Sequence, residues 1–172
     1  VPGRQEETTQ RVAYGPGLRR TAQIAAAIGV IAAAVELAVG PHRITSVVFL
    51  IVGTTIGVLV GRSLARTLAD WAADAPVVSE DERASIVAGQ RTPYAVVGLV
   101  VLGVIAVAVP IGYDIPTPLP GALMALAVQT WLQARAIDDV EARRRGSVLR
   151  PRRRLSFDGE DLRLLPHPAG DG

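Results

Sequence analysis

The chain has 172 residues, 49% of them apolar but only 4% aromatic, and a formal net charge of +2. It has no cysteine, which excludes disulfides, thiolate metal sites and cysteine nucleophiles. All 18 basic residues are arginine, which excludes lysine amine chemistry, and the two histidines, His42 and His167, are too far apart in sequence to suggest a metal site.

The apolar residues collect into four blocks almost free of charge, the distribution that a bilayer demands. Residues 1–20 are polar and carry "YGPG", which reads as a loose tail. The first block runs from Ala22 to Val39 and ends at Gly40-Pro41, a helix-stopping pair. It is too long for the apolar part of a signal peptide, and a second block, Thr45 to Gly61, follows after a short turn. About 20 helical residues cross the hydrocarbon, so both blocks are just long enough.

The segment 62–93 is polar. Leu64, Leu68 and Trp71 fall on one helical face, predicting that the second helix continues along the membrane surface. Pro76 stops it. Ser79 and Glu82 have the spacing of a capping box for a short helix. Thr92 and Pro93 suit the start of a third span, Tyr94 to Gly112. A proline-rich linker leads to the fourth block, Leu119 to Ala134, which is the least apolar and should continue as a polar helix through "RAIDDVEARRR". Residues 136–172 form an arginine-rich tail in which Asp158-Gly159 could turn a small hairpin.

Arginine is asymmetric along the chain. The N-terminal, middle and C-terminal polar segments, the last counted from Arg135, hold 4, 4 and 9, whereas the two short turns hold only Arg43. The positive-inside rule then puts both termini and the middle segment in the cytoplasm. The expected fold is an all-α integral membrane protein of four transmembrane helices. They form two antiparallel hairpins, 21–61 and 94–135, joined by a cytoplasmic connector. The hairpins begin alike, at Arg20-Thr21 and Arg91-Thr92, which suggests a parallel internal repeat. The composition, rich in Ala, Val and Gly with Arg for Lys, suits the plasma membrane of a bacterium.

Three groups of residues are functional candidates. Gly53, Gly57 and Gly61 lie four apart on the second helix, and Ala25, Gly29 and Ala33 repeat that spacing on the first. Small residues let helix backbones approach closely in lipid. The two stripes could pack on each other within the hairpin, or on a second copy or a larger partner. Glu36 is the one carboxylate inside a span, about four residues from its outer end. It could reach water and pair with Arg43, helped by His42, or it could bind a proton or cation. Arg143, Arg144, Arg145, Arg150, Arg152, Arg153 and Arg154 crowd the chain just beyond the fourth span, where they would attract anionic lipid. Ser156 behind them could be phosphorylated, which would loosen that attraction.

Thr54 and Thr55 can bond their own helix, and Gln129 can bond a neighbouring one. Trp71 and Trp131 read as interfacial anchors. No phosphate-binding loop, nucleophile elbow or metal-ligand spacing occurs, so neither an enzyme nor a cofactor is expected. No aromatics interleave with the arginines, which argues against nucleic acid. The resulting expectation is an accessory or scaffolding subunit of a larger membrane complex, in contact with lipid and with another membrane protein or itself. The alternative is an oligomeric transporter or channel that uses Glu36.

Overall fold

The computed structural model describes residues 10–40, 42–83, 86, 93–113, 118–151 and 161–167. The chain is mostly helical. In order it forms β1 (Arg11–Ala13), α1 (Gly15–Val39), α2 (Arg43–Ala73), α3 (Glu80–Arg83), α4 (Pro93–Tyr113), α5 (Leu119–Arg144), β2 (Gly146–Pro151) and β3 (Arg163–Pro166). Helix α1 opens with a proline in its first turn and ends where Gly40 N–H bonds the Glu36 carbonyl at 2.8 Å. The capping box forms as its spacing predicts: Glu82 N–H donates to Ser79 Oγ at 3.3 Å, and Ser79 N–H to Glu82 Oε2 at 3.2 Å.

Two helices, α1 and α2, are long and apolar enough to cross a membrane. Only 17% of the apolar window of α2 is buried, whereas the core helix of a water-soluble protein is mostly buried. Helix α4 adds a shorter apolar stretch, Gly98–Val109. Around these helices the usual sorting of side chains is inverted. Small residues such as Ala25, Gly29, Ala32, Gly57 and Ala127 are buried, while Ile31, Ile51, Ile56, Leu59, Val104 and Ile105 face outward. Water would drive the large apolar groups inward. Hydrocarbon supplies no such drive, and small residues then let helices pack by close approach.

The four long helices lie side by side in the order α2–α5–α1–α4. Their directions follow from the close approaches. Gly53, Gly57 and Gly61 of α2 meet Gly121, Ala125 and Gln129 of α5, so these two run parallel. Gly15 and Gly29 of α1 meet Ile137 and Leu123 of α5, so these run antiparallel. Gly103 of α4 abuts Ile28, and one turn earlier on α4 Leu99 shares a core cluster with Ala25, so α1 and α4 run parallel. The sequence-adjacent hairpins are therefore interlocked rather than separately packed. The extensive α1–α5 packing has no α4–α2 counterpart of similar extent, so the suspected repeat does not yield two equivalent halves.

At one end of the bundle, segments from the start, middle and end of the chain join in a second core that obeys the water rule. Strands β1, β2 and β3 form an antiparallel sheet with β2 in the centre, pairing Val12 with Arg150 and Val148 with Leu164. Tyr14, Leu68, Ala72, Ile137, Val140, Val148, Leu162 and Leu164 pack together beneath it. This cap corrects three expectations. Residues 10–20 are not a loose tail, because β1 and the first turn of α1 are built from them. Much of the C-terminal basic segment is a strand. The Leu64–Leu68–Trp71 face is split, because α2 turns Gly61, Ala65, Leu68 and Ala72 inward and leaves Leu64 and Trp71 exposed.

Candidate functional site

The two small-residue stripes do not face each other. Gly53, Gly57 and Gly61 face α5, the least apolar of the expected spans, as do Ala25 and Gly29, whereas Ala33 lines a cleft with Leu50 and Thr54 of α2. A Cβ at Gly57 would lie 2.6 Å from the Ala125 carbonyl oxygen and 2.7 Å from Ala125 Cα. One at Gly61 would lie 2.9 Å from Gln129 Cα. One at Gly29 would lie 3.2 Å from both Leu123 Cβ and Met124 Sδ, and Ala25 shares a core with Leu123 and Ala127. The stripes thus belong to the fold of one chain. The missing signal was "GALMA": Gly121 and Ala125 are also four apart and offer the flat surface that receives α2. Thr55 Oγ1 donates to its own helix at the Ile51 carbonyl, 2.8 Å away, as its residue type suggested.

Glu36 falls two turns beyond Gly29 on α1 and is only 4% exposed. It does not snorkel into water. Arg43 Nη2 donates to the Ala38 carbonyl at 3.4 Å, so its guanidinium caps the end of α1 in place of the expected carboxylate pairing. His42, itself exposed, gives its carbonyl to Ser46 Oγ at 3.1 Å and to Ser46 N–H.

The arginine cluster divides. Arg144 reaches back to the carbonyls of Ala73 and Ala75, tying α5 to the end of α2. Arg150 sits in β2 with its guanidinium 5.4 Å from the centre of the Tyr14 ring. Both have structural work, which corrects their assignment to lipid alone. Arg143 and Arg145 are exposed, and Arg145 adopts a left-handed conformation (φ 48°) that ends α5. Arg152, Arg153, Arg154, Ser156 and the Asp158-Gly159 turn lie outside the described residues.

A charged knot was not foreseen. Glu82 Oε1 accepts from Arg11 Nη2 at 3.0 Å and lies 3.5 Å from Arg163 Nε. Arg11, 8% exposed, also donates to the Asp161 carbonyl at 2.8 Å. One carboxylate in the middle segment thus joins the first and last strands. Burial pushes the Glu82 carboxyl up, but the Ser79 N–H and the charges of Arg11 and Arg163 outweigh it and hold it below the ordinary carboxylate range. Nearby, burial raises the pKa of Glu141, even though its Oε1 accepts the Val148 N–H at 2.7 Å.

The chain matches no protein family, no curated protein and no solved structure. Its functional reading therefore rests on its own surfaces. One of them is a cleft of about 550 Å³ between α1 and α5, with Arg19, Asp138 and Arg135 at its cap end and Met124 at its far end. A second cleft of about 600 Å³ between α1 and α2 shares Met124 and is lined almost wholly by apolar groups. The third surface is α4, held to the bundle chiefly through α1. Its Gly98 and Gly112 face open space, with nothing within 4 Å of an added Cβ.

Proposed function

We propose that the chain is a small four-span protein of the bacterial plasma membrane, with its cap in the cytoplasm, acting as an accessory or scaffolding subunit of a larger membrane complex. The observation that carries this reading is the peripheral helix α4. It is apolar, it is packed mainly along one side, and Gly98, Val101, Leu102, Ile105 and Gly112 are exposed along it. A partner helix could approach closely at those glycines. The convergence of all three arginine-rich segments at one end supports the cytoplasmic placement of the cap.

The test uses Gly98→Leu with Gly112→Leu. Each position has room for the side chain in the isolated fold, so thermal stability in detergent should be retained. The amount of a co-extracted membrane partner should fall about tenfold, the effect of roughly 1–3 kcal/mol of overpacking at an interface. An unchanged particle mass and composition would sink the proposal.

The burial of Glu36 favours a second reading, an oligomeric transporter or channel in which this carboxylate carries a proton or cation. Glu36→Gln should then abolish pH-dependent flux in proteoliposomes. Flux that persists in the variant, or is missing from the unaltered protein, rejects this reading.

A further inference from the structure

We propose that the α1–α5 cleft binds one anionic phospholipid of the leaflet next to the cap, with its phosphate at Arg135 and its acyl chain running toward Met124. The proposal rests on the reading that the helices span a membrane. The cleft is two-ended in chemistry. At the cap end stand Arg19, Gln23, Arg135 and Asp138; beyond them the walls are Ala26, Ala127 and Val128.

Charge identifies the occupant. Arg19 is balanced by Asp138, with Nε 3.2 Å from Oδ2. Arg135 makes no ion pair among the described residues, and its guanidinium lies 5.0 Å from the centre of the Trp131 ring. The cleft therefore presents one uncompensated cation beside an indole, at the depth where a phosphodiester sits. A hydrophobic helix could fill the apolar part but would bring no anion to Arg135. A phospholipid supplies both halves.

Length agrees. From Asp138 to Met124 the cleft follows 14 residues of α5, about 21 Å at 1.5 Å per residue. One leaflet of hydrocarbon is about half of 30 Å thick, and the headgroup zone adds the rest. The small residues on both walls leave the groove open along this length, on a side of α1 that α4 does not cover.

Trp131 is a built-in reporter. Trp71→Phe leaves it as the sole tryptophan of the two in the chain. The full chain carrying that change is reconstituted in phosphatidylcholine vesicles. These contain either acyl-brominated phosphatidylglycerol or acyl-brominated phosphatidylcholine at equal mole fraction. Bromine next to the indole quenches it, so the ratio of the two quenching efficiencies reports which lipid occupies the cleft. The anionic lipid should be enriched about fivefold, the factor expected of one basic residue near anionic lipid. Arg135→Gln should return the ratio to about one, whereas Arg62→Gln, on the exposed side of α2, should leave it unchanged. Equal quenching by both lipids would overturn the site while leaving membrane insertion intact. An absence of quenching by either lipid would overturn both.

Discussion

Gly57→Leu should separate α2 from α5 and unfold the bundle, at a cost of about 3 kcal/mol or more. A Cβ at this position already falls 2.6 Å from a backbone oxygen and 2.7 Å from a backbone Cα of Ala125. No rotamer change can relieve contacts with backbone, so the helices must move apart along their whole length. Gly53 and Gly121 are tighter still, each lying closer than Gly57 to a carbonyl oxygen of the facing helix. Even Gly57→Ala should be strongly destabilising. The internal control is Gly98→Ala on α4, which meets nothing and should stay within about 1 kcal/mol of the unaltered protein. Circular dichroism during titration from mild detergent into sodium dodecyl sulfate measures both. If the Gly57 and Gly98 variants lost helix at the same detergent fraction, the parallel α2–α5 packing would be wrong. Had the stripe packed on a second copy or a larger partner, a bulky residue there would instead break association and spare the fold.

Glu82→Gln should loosen the cap by about 2 kcal/mol, in the range for hydrogen bonds to charged groups. It leaves the guanidinium of Arg11 buried opposite a neutral amide and weakens the link to Arg163. Its dependence on pH has a defined sign. The folded pKa of Glu82 is depressed, so its stabilisation is fully present above the unfolded carboxylate value and is lost as pH falls through the folded one. The difference in cap stability between the unaltered protein and Glu82→Gln should therefore be full at pH ~7 and shrink markedly by pH ~3. Limited proteolysis within β1 and β3, with the bundle held in detergent, reads that difference. A gap that did not change with pH would show that the carboxylate charge is not what joins the segments.

The places where sequence reading succeeded are those with local causes. The Gly40-Pro41 stop, the Ser79–Glu82 box, Pro93 at the start of α4 and the continuation of α5 past Ala134 each depend on residues within a few positions of one another. The expected Glu36–Arg43 pairing assumed that α1 ends in open headgroups. Glu36 is instead buried near the end of α1, while Arg43 is given to the Ala38 carbonyl. The reading of the arginine cluster rested in part on a similar assumption. Charge density alone cannot distinguish an arginine that ties two helices together, as Arg144 does, from one that stands exposed at the end of α5, as Arg145 does.

The sequence by itself determined where α1 stops, where α4 starts, that α5 runs on past Ala134, and that α1 and α2 are apolar enough for a bilayer. Those properties are set by local composition and by spacing along one chain. Only the tertiary structure decided which helix each small-residue stripe meets, because Gly-x-x-x-Gly faces are interchangeable until one neighbour offers matching flatness, and α5 does so through Gly121 and Ala125. It also decided that three distant polar segments make one sheet and one core. Strand pairing between Arg11–Ala13 and Gly146–Pro151 spans almost the whole chain, and no local pattern in a three-residue strand can specify a partner that far away.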